Sequence, residues 1–224
     1  MNTQKVKQQL WLCMIFLISF GLLLSSLPSN AMVISWDLQW EYSGAFPPEG
    51  PPPWLTAIID DEIDPGNVTL TMISNLTGSE FVNLWFFNYD TDKFTLTPSD
   101  FVYQQSSTGP EPTIMIGNNS FHAAADGWFD ISFDFQNPFS GERFESSEVV
   151  VFTISKPGLT ANSFNSMSVF GENEIGLFTA SHVGGIGPAG DNSGWITIVP
   201  EPSTIFFLFF GLIGFLGFKK KIRD

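Results

Sequence analysis

The stretch Trp128-Phe129-Asp130-Ile131-Ser132-Phe133-Asp134-Phe135 decides the fold class, because apolar and polar residues alternate along it. A period of two is typical of a β-strand whose two faces meet different surroundings. We expect the four phenylalanine and isoleucine side chains to point into a core. Asp130, Ser132 and Asp134 are expected to point outward, and Trp128 shares their parity.

Other segments extend this pattern. Val33–Glu41 alternates in the same way, with Trp36 and Trp40 on its apolar parity, whereas residues 81–89 and Val149–Ile154 are apolar on both parities. Strands of the second kind belong in the middle of a sheet, between two layers. Further strands are predicted at residues 54–59, 68–74, 94–96, 113–116, 167–170, 175–182 and 195–199.

Residues 32–198 show no helical periodicity over three turns, although residues 159–165 fit a single helical turn. About ten short strands separated by Gly, Pro, Asn and Asp predict an all-β chain, with one antiparallel β-sandwich domain of jelly-roll type. The glycine-rich residues 183–194 could be mistaken for a linker. The alternation from Trp195 onward instead predicts that the chain returns to the sheet.

The first 31 residues fit a signal peptide with a signal helix. Lys5 and Lys7 precede an apolar stretch at residues 10–24, and Ser29 and Ala31 occupy the small-residue positions of a leader-peptidase site. We therefore expect leader peptidase to cut between Ala31 and Met32. The alternative is an uncleaved membrane anchor.

The last 26 residues have three parts: the motif Val199-Pro200-Glu201-Pro202-Ser203-Thr204, an uncharged apolar run at 205–218, and a basic tail at 219–224. The prolines hold the motif extended. A helix over 205–218 is about 20 Å long, shorter than a hydrocarbon core of roughly 30 Å. The basic residues behind it nevertheless favour a transmembrane helix whose carboxyl end is cytoplasmic.

This tail resembles the PEP-CTERM sorting signal of secreted bacterial proteins, in which a Pro-Glu-Pro core, a membrane segment and a basic cluster follow in that order. The resemblance makes Val199, Pro200, Glu201, Pro202 and Ser203 the sorting motif. It implies an exosortase, an integral membrane cysteine transpeptidase, that cuts near Pro200–Pro202 and releases or transfers the protein. The chain would be anchored transiently in the inner membrane and then reach the cell surface or the outside, in a setting rich in exopolysaccharide.

A weaker resemblance links the exported part, residues 32–198, to an uncharacterised group of PEP-CTERM proteins. It is carried by residues 52–56, residues 126–135, and residues 182–187 together with 193–195. That group implies one compact β-domain and supplies no catalytic residues.

Cysteine and charge limit the chemistry of the exported part. Cys13 is the only cysteine and lies in the leader, so neither disulfides nor thiolate catalysis are expected. Residues 32–204 hold 3 basic and 22 acidic residues, a net charge of 3 − 22 = −19. Such a charge excludes nucleic acid and anionic lipid as partners and favours cations, although solubility outside the cell also explains it.

Three candidate motifs are rejected on their context. Residues 185–190 spell the dinucleotide fingerprint, but no helix is predicted after them and no acidic residue follows about twenty positions on. His122 and His182, the only histidines, lack zinc-site spacing. Ser181 next to His182 does not make a catalytic triad, which is a three-dimensional arrangement.

Carboxylates are the remaining ligands for a metal. Asp60, Glu62 and Asp64 begin like an EF-hand, but Pro65 stands where that loop needs glycine. Asp126, Asp130 and Asp134, or Asp90 with Asp92, offer hard oxygen ligands for Ca²⁺ from loops and strand ends. The alternative is an acidic solvated face, and we expect no other cofactor.

Tryptophans suggest a binding surface. Trp36 and Trp40 share a face with aliphatic residues and are expected in the core, whereas Trp54, Trp128 and Trp195 are candidates for exposed aromatic contacts to sugar rings.

The sequence thus favours a non-enzymatic structural or interaction protein at the cell surface or in the extracellular matrix, associated with exopolysaccharide. A carbohydrate-binding module, with calcium bridging it to an acidic polysaccharide, is the first alternative. A hydrolase built on paired carboxylates is the second.

Overall fold

The computed structural model describes residues 31–62, 66–124, 127–136, 142–169 and 176–199. They form ten strands: β1 Val33–Glu41, β2 Leu55–Asp60, β3 Val68–Ser74, β4 Phe81–Phe87, β5 Phe101–Tyr103, β6 Thr113–His122, β7 Trp128–Asp134, β8 Val149–Ile154, β9 Thr179–Ile186 and β10 Asn192–Ile198. Two short 3₁₀ helices, Pro98–Asp100 and Ala161–Phe164, complete the regular structure of these residues. The all-β prediction is confirmed.

The ten strands make one continuous sheet in the order β5-β8-β3-β2-β1-β10-β9-β4-β7-β6. Every neighbouring pair is antiparallel. The prediction of an antiparallel domain is therefore confirmed. The two separate sheets that a sandwich implies are replaced by one sheet that curls.

Aromatic contacts demonstrate the curl. β7 and β8 are seven steps apart in the sheet, or roughly 34 Å if the sheet were flat. Yet the rings of Phe133 on β7 and Phe152 on β8 have centroids 5.4 Å apart, and Phe101 on the edge strand β5 lies 5.9 Å from Phe133. The twist of neighbouring strands accumulates over ten strands, so the sheet bends and its halves face each other across the core.

The main core fills the concave side of the sheet. It takes buried apolar side chains from nine of the ten strands, with partly buried Ile114 and Ile116 packing on from β6. A smaller cluster lies on the other face of β4 and β9, where Phe86 and Ala180 pack with Ala123, Phe129 and Leu177. β4 and β7 are thus covered on both faces, as predicted for β4 from its continuous apolar run.

Two expectations about strand faces are wrong. Asp130 and Ser132 are buried rather than outward. Ser132 pairs with Phe86 of the smaller cluster, and Asp130, only 5% exposed, accepts hydrogen bonds from the backbone of Asn119 and Tyr89. Trp40 is only half-buried and contacts Tyr42 instead of the main core. A register shift between Leu38 and Trp40 explains this, because a β-bulge changes the side to which the following residues point.

Other differences concern short segments. Residues 94–96 are not a strand, whereas the three-residue β5 was not predicted. Val169 makes only an isolated bridge, to Trp128. The predicted helical turn appears as the 3₁₀ helix Ala161–Phe164.

The glycine-rich residues are the hairpin that joins β9 to β10, which confirms the predicted return to the sheet and the rejection of the dinucleotide motif. Gly185 has φ +75°, and a Cβ there would lie 2.4 Å from the Ser79 carbonyl oxygen. Glycine is needed at this position for both its backbone conformation and the close approach of a second chain segment.

Candidate functional site

Trp128 is the most exposed of the three tryptophans predicted to contact a ligand. It begins β7 on the polar parity of that strand and is 40% exposed. Its cross-strand neighbour on β6 is His122, and the two rings have centroids 4.4 Å apart.

On the other side of β7, the Trp128 backbone pairs with Val169: Trp128 N–H donates to Val169 O at 3.0 Å, and Val169 N–H donates to Trp128 O at 3.3 Å. His122, Trp128 and Val169 therefore stand in line across three chain segments, and all three side chains are exposed. We call them the Trp128 row. Residues opposite one another in a sheet present their side chains on the same face, so the row offers a mainly apolar surface held by paired backbone.

Trp195 lies on β10 and is half-buried. Its ring centroid lies 5.1 Å from that of His182 and 5.2 Å from that of Phe86, both tilted by 41°, and it packs against the smaller cluster. These contacts leave the Trp195 side chain half-buried. The structure therefore leaves Trp195 as a second, less open aromatic surface.

Trp54 belongs to the core and not to an exposed surface. It is 7% exposed, and its indole N–H donates to Gly50 O at 3.1 Å. The polar tip of the ring is thus satisfied inside the protein, as is usual for a buried tryptophan.

Of the three predicted calcium ligands, the structure describes Asp130 and Asp134. Asp126 lies outside the described residues, and Asp134 accepts a hydrogen bond from Gln136 N–H at 2.9 Å. Asp130 accepts from Asn119 N–H at 2.8 Å with one oxygen and from Tyr89 N–H at 3.4 Å with the other. In residues 31–62, 66–124, 127–136, 142–169 and 176–199, no three His, Cys, Asp or Glu side chains come together as a metal site would require.

Asp130 instead supports the fold beside the Trp128 row. Asn119, which it holds, has φ +49° and lies in the irregular part of β6 between Ile116 and Phe121. Burial raises the pKa of Asp130, and the two amide hydrogen bonds only partly offset this.

Glu80 is a second buried carboxylate, 3% exposed. It accepts from Glu49 N–H at 2.6 Å and from Thr77 N–H at 3.2 Å. Burial raises its pKa as well, against the effect of those two bonds. Glu80 and Asp130 thus use both of their oxygens to hold loop backbone.

The three cations of the domain already have partners. Lys93 pairs with Asp90 at 2.7 Å, Lys156 pairs with Asp100 at 3.1 Å, and the Arg143 guanidinium lies 3.9 Å from the centre of the Phe81 ring. Asp90, a weak calcium candidate with Asp92, is therefore engaged by Lys93. The excess of negative charge on the domain is not offset by free cations within the described residues.

His182 and Ser181 are structural. Burial lowers the pKa of His182, whose Nδ1 lies 3.2 Å from the Asn83 amide nitrogen. The buried Ser181 hydroxyl donates to Leu84 O at 2.9 Å. Ser181 and its neighbour point to opposite faces of β9, so they do not act on one substrate atom.

The predicted leader-peptidase site falls where the ordered sheet begins. Ala31 and Met32 are exposed, and β1 starts at Val33, opposite Asp60 of β2. Met32 N lies 2.5 Å from Asp61 Oδ1, and Asp61 N–H donates to Met32 O at 3.2 Å. Residues 1–30 of the predicted signal peptide lie outside the described residues.

The carboxyl end of the domain also lies next to a predicted processing signal. β10 ends at Ile198, and Val199, the first residue of the predicted sorting motif, is 45% exposed. Pro200, Glu201, Pro202, Ser203 and the segments 205–218 and 219–224 lie outside the described residues. In the part of the chain that the structure describes, none of the helices has the length and apolar character of a membrane span.

Comparison with known families gives one result. The family described as "PEP-CTERM protein-sorting motif" matches residues 199–221. The chain carries a PEP-CTERM sorting signal. No curated protein and no solved structure matches the chain.

The PEP-CTERM signal identifies an exported protein that is anchored transiently in a membrane and processed by an exosortase-type transpeptidase. The match begins one residue after β10 ends, so the signal adjoins the sheet without an intervening linker.

The sequence alone missed two features of this site. His122 lies beside Trp128 only because of the register of β6 on β7, and an irregularity between Ile116 and Phe121 sets that register. Asp61 meets Met32 through the register of β1 on β2. The acidic run at Asp60–Glu62 was a sequence signal for the second feature, but the sequence did not indicate which residue these acids contact.

Proposed function

We propose that the exported domain is a non-enzymatic surface or matrix protein that an exosortase-type system delivers to a setting rich in exopolysaccharide. The observation that carries the proposal is the PEP-CTERM signal at residues 199–221, placed directly after the last strand of a strongly acidic β-domain. A sorting signal joined directly to a folded domain supports a role in which the domain itself is the part that is exported and delivered.

The acidic surface supports a matrix role of a particular kind. With Lys93, Lys156 and Arg143 already partnered, the domain repels acidic polymers unless cations bridge them. Neutral polymers do not meet this repulsion. Calcium therefore enters the proposal as a bridge between two acidic surfaces and not as a bound cofactor.

The test is the intact mass of the protein recovered outside the cell. We expect a chain that starts at Met32 and ends between Pro200 and Ser203, with or without an attached group. Glu201→Ala should retain the full carboxyl terminus in the membrane fraction. Glu111→Ala, which removes an exposed acid from the domain, is the matched control. A full-length, soluble cytoplasmic product would overturn the proposal.

The second candidate is a carbohydrate-binding module, and the Trp128 row favours it. An exposed indole held against His122 at 4.4 Å offers a rigid π-face at low entropic cost to the flat side of a sugar ring. Retention on whole extracellular polymer, with and without millimolar Ca²⁺, separates this candidate from a purely structural role. Absence of retention in both conditions would count against binding.

A further inference from the structure

We propose that Asp61 is the binding site for the amino terminus that leader peptidase creates at Met32, so that removal of the leader adds an ion pair to the folded domain. The inference rests on the proposed export and on cleavage after Ala31. It is carried by one contact, the 2.5 Å between Met32 N and Asp61 Oδ1.

The Asp61 carboxylate is fixed before any amine forms. Its second oxygen accepts from Ala161 N–H, the first residue of the second 3₁₀ helix, at 2.8 Å. Its own N–H donates to Met32 O. Asp61 therefore contacts both the backbone nitrogen and the carbonyl oxygen of Met32. Because the site is already ordered, binding of the new amino terminus loses little conformational entropy.

Cleavage changes the chemistry of that contact without moving it. Water adds across the Ala31–Met32 peptide bond: the C–N bond breaks, Ala31 leaves with the leader as a carboxylate, and Met32 N becomes an amine. At neutral pH the amine takes up a proton, since the ordinary pKa of an α-amino group is about 8. The hydrogen bond from a neutral amide to the Asp61 carboxylate becomes an ion pair between an ammonium group and that carboxylate.

The proposed site also gives a role to the acidic run at Asp60–Glu62, which does not fit the EF-hand pattern. Asp60 pairs with Val33 across the sheet, and its side chain accepts from Glu62 N–H at 2.7 Å. The two acids flanking Asp61 add negative charge near the new ammonium group and favour its protonated form. Removal of the leader thus creates a positive charge next to these acids.

The first experiment is amino-terminal sequencing of the protein recovered outside the cell. A chain that begins at Met32 is expected. A chain that still begins at Met1 would overturn the proposed export together with this inference. A processed chain that begins at another residue would overturn the inference alone, because Met32 N would remain an amide.

The second experiment is acetylation of the processed protein, which neutralises its α-amine, combined with Asp61→Asn. Residues 32–199 contain only two lysines, Lys93 and Lys156, and their modification affects both proteins equally. Acetylation is expected to lower the melting temperature of the wild type by about 2–4 °C more than that of Asp61→Asn. Glu111→Gln, which neutralises an exposed acid just before β6, is the matched control and should keep the wild-type response. Equal responses of wild type and Asp61→Asn would overturn the inference.

If Asp61→Asn does not fold, a pH series on acetylated and free wild type still tests the inference. A carboxylate partner raises the pKa of an amine, so the stabilisation is complete below about pH 8 and is lost as pH rises through the folded-state pKa. Among the described residues of this segment, the acids beside the new amine are Asp60, Asp61 and Glu62. Neither residues 32–36 nor Ala161–Phe164 carries a titratable side chain. A difference between acetylated and free wild type that persists unchanged to pH 11 would overturn the inference.

Discussion

The ring of Phe133 on β7 lies 5.4 Å from the ring of Phe152 on β8, although six strands separate β7 from β8 in the sheet. Phe133 also contacts Phe87 at 5.6 Å and Phe101 at 5.9 Å, both nearly edge to face. The fully buried Phe133 side chain thus contacts residues from both halves of the curled sheet.

Phe133→Ala should destabilise the domain by about 3–5 kcal/mol, because it leaves a cavity where the two halves of the sheet meet. Urea unfolding followed by tryptophan fluorescence measures this. Val102→Ala, an exposed apolar residue on β5, should change stability by no more than about 0.5 kcal/mol. The Phe133→Ala and Phe152→Ala effects should also be coupled, and strictly additive values would contradict direct contact across the core.

Asp130→Asn should change how stability depends on pH. Burial raises the folded-state pKa of Asp130 above its ordinary value, so the native state holds this proton more tightly than the unfolded chain does. The associated stabilisation is complete at acid pH, below the unfolded-state pKa, and is lost as pH rises through the folded-state pKa.

The wild type should therefore lose more stability than Asp130→Asn as pH rises from about 3 to 7, a window that spans the ordinary pKa of Asp near 4. Thermal unfolding across this range measures the difference. Asp134→Asn, on the same strand, is the control. A parallel pH profile for wild type and Asp130→Asn would show that Asp130 is not desolvated.

Trp128→Ala and Trp54→Ala should separate binding from stability. Trp128→Ala should abolish retention on a glycan array with little change in melting temperature, because the indole is exposed. Trp54→Ala should cost about 3–5 kcal/mol of stability, because the indole is buried. Phe46→Ala, which removes an exposed ring from another loop, is the control. Unchanged retention by Trp128→Ala would remove the Trp128 row as the binding surface.

Gly185→Ala should destabilise the β9–β10 hairpin more than Gly44→Ala. Both glycines have positive φ, so each alanine pays the cost of a left-handed backbone, about 1–2 kcal/mol. Only at Gly185 does the new Cβ also meet a carbonyl oxygen at 2.4 Å, whereas nothing lies within 4 Å at Gly44. Equal losses in chemical unfolding would mean that the Ser79 backbone moves away freely.

Alternation and continuous apolar runs were sufficient to predict most of the strands. β1, β3 and β8 have the predicted bounds, since each has a clear period of two or a run of β-branched residues. β5 could not be predicted because three residues are too few to show a period. Trp40 was misplaced because a bulge interrupts the parity of β1, and a bulge leaves no signal in composition.

The site was less accessible to sequence reasoning than the fold. The polar parity of Trp128 correctly predicted an exposed ring, but the same parity wrongly predicted Asp130 to face solvent. Parity assigns a residue to a face and does not tell what covers that face. Here the backbone of Asn119 and Tyr89 lies against Asp130 and donates hydrogen bonds to it, and these two residues come from other segments of the chain.

The adjacency of β1 and β10 has a mechanical consequence. The two strands are antiparallel neighbours and Leu38 faces Ile198, so the chain enters the paired part of β1 and leaves the paired part of β10 at the same end. A force applied between Met32 and Val199 would break the hydrogen bonds of this pair one after another, starting at one end, and would not load all of them at once in shear. A precursor tethered at both termini would carry tension along its weakest direction, and severing either tether would remove that strain.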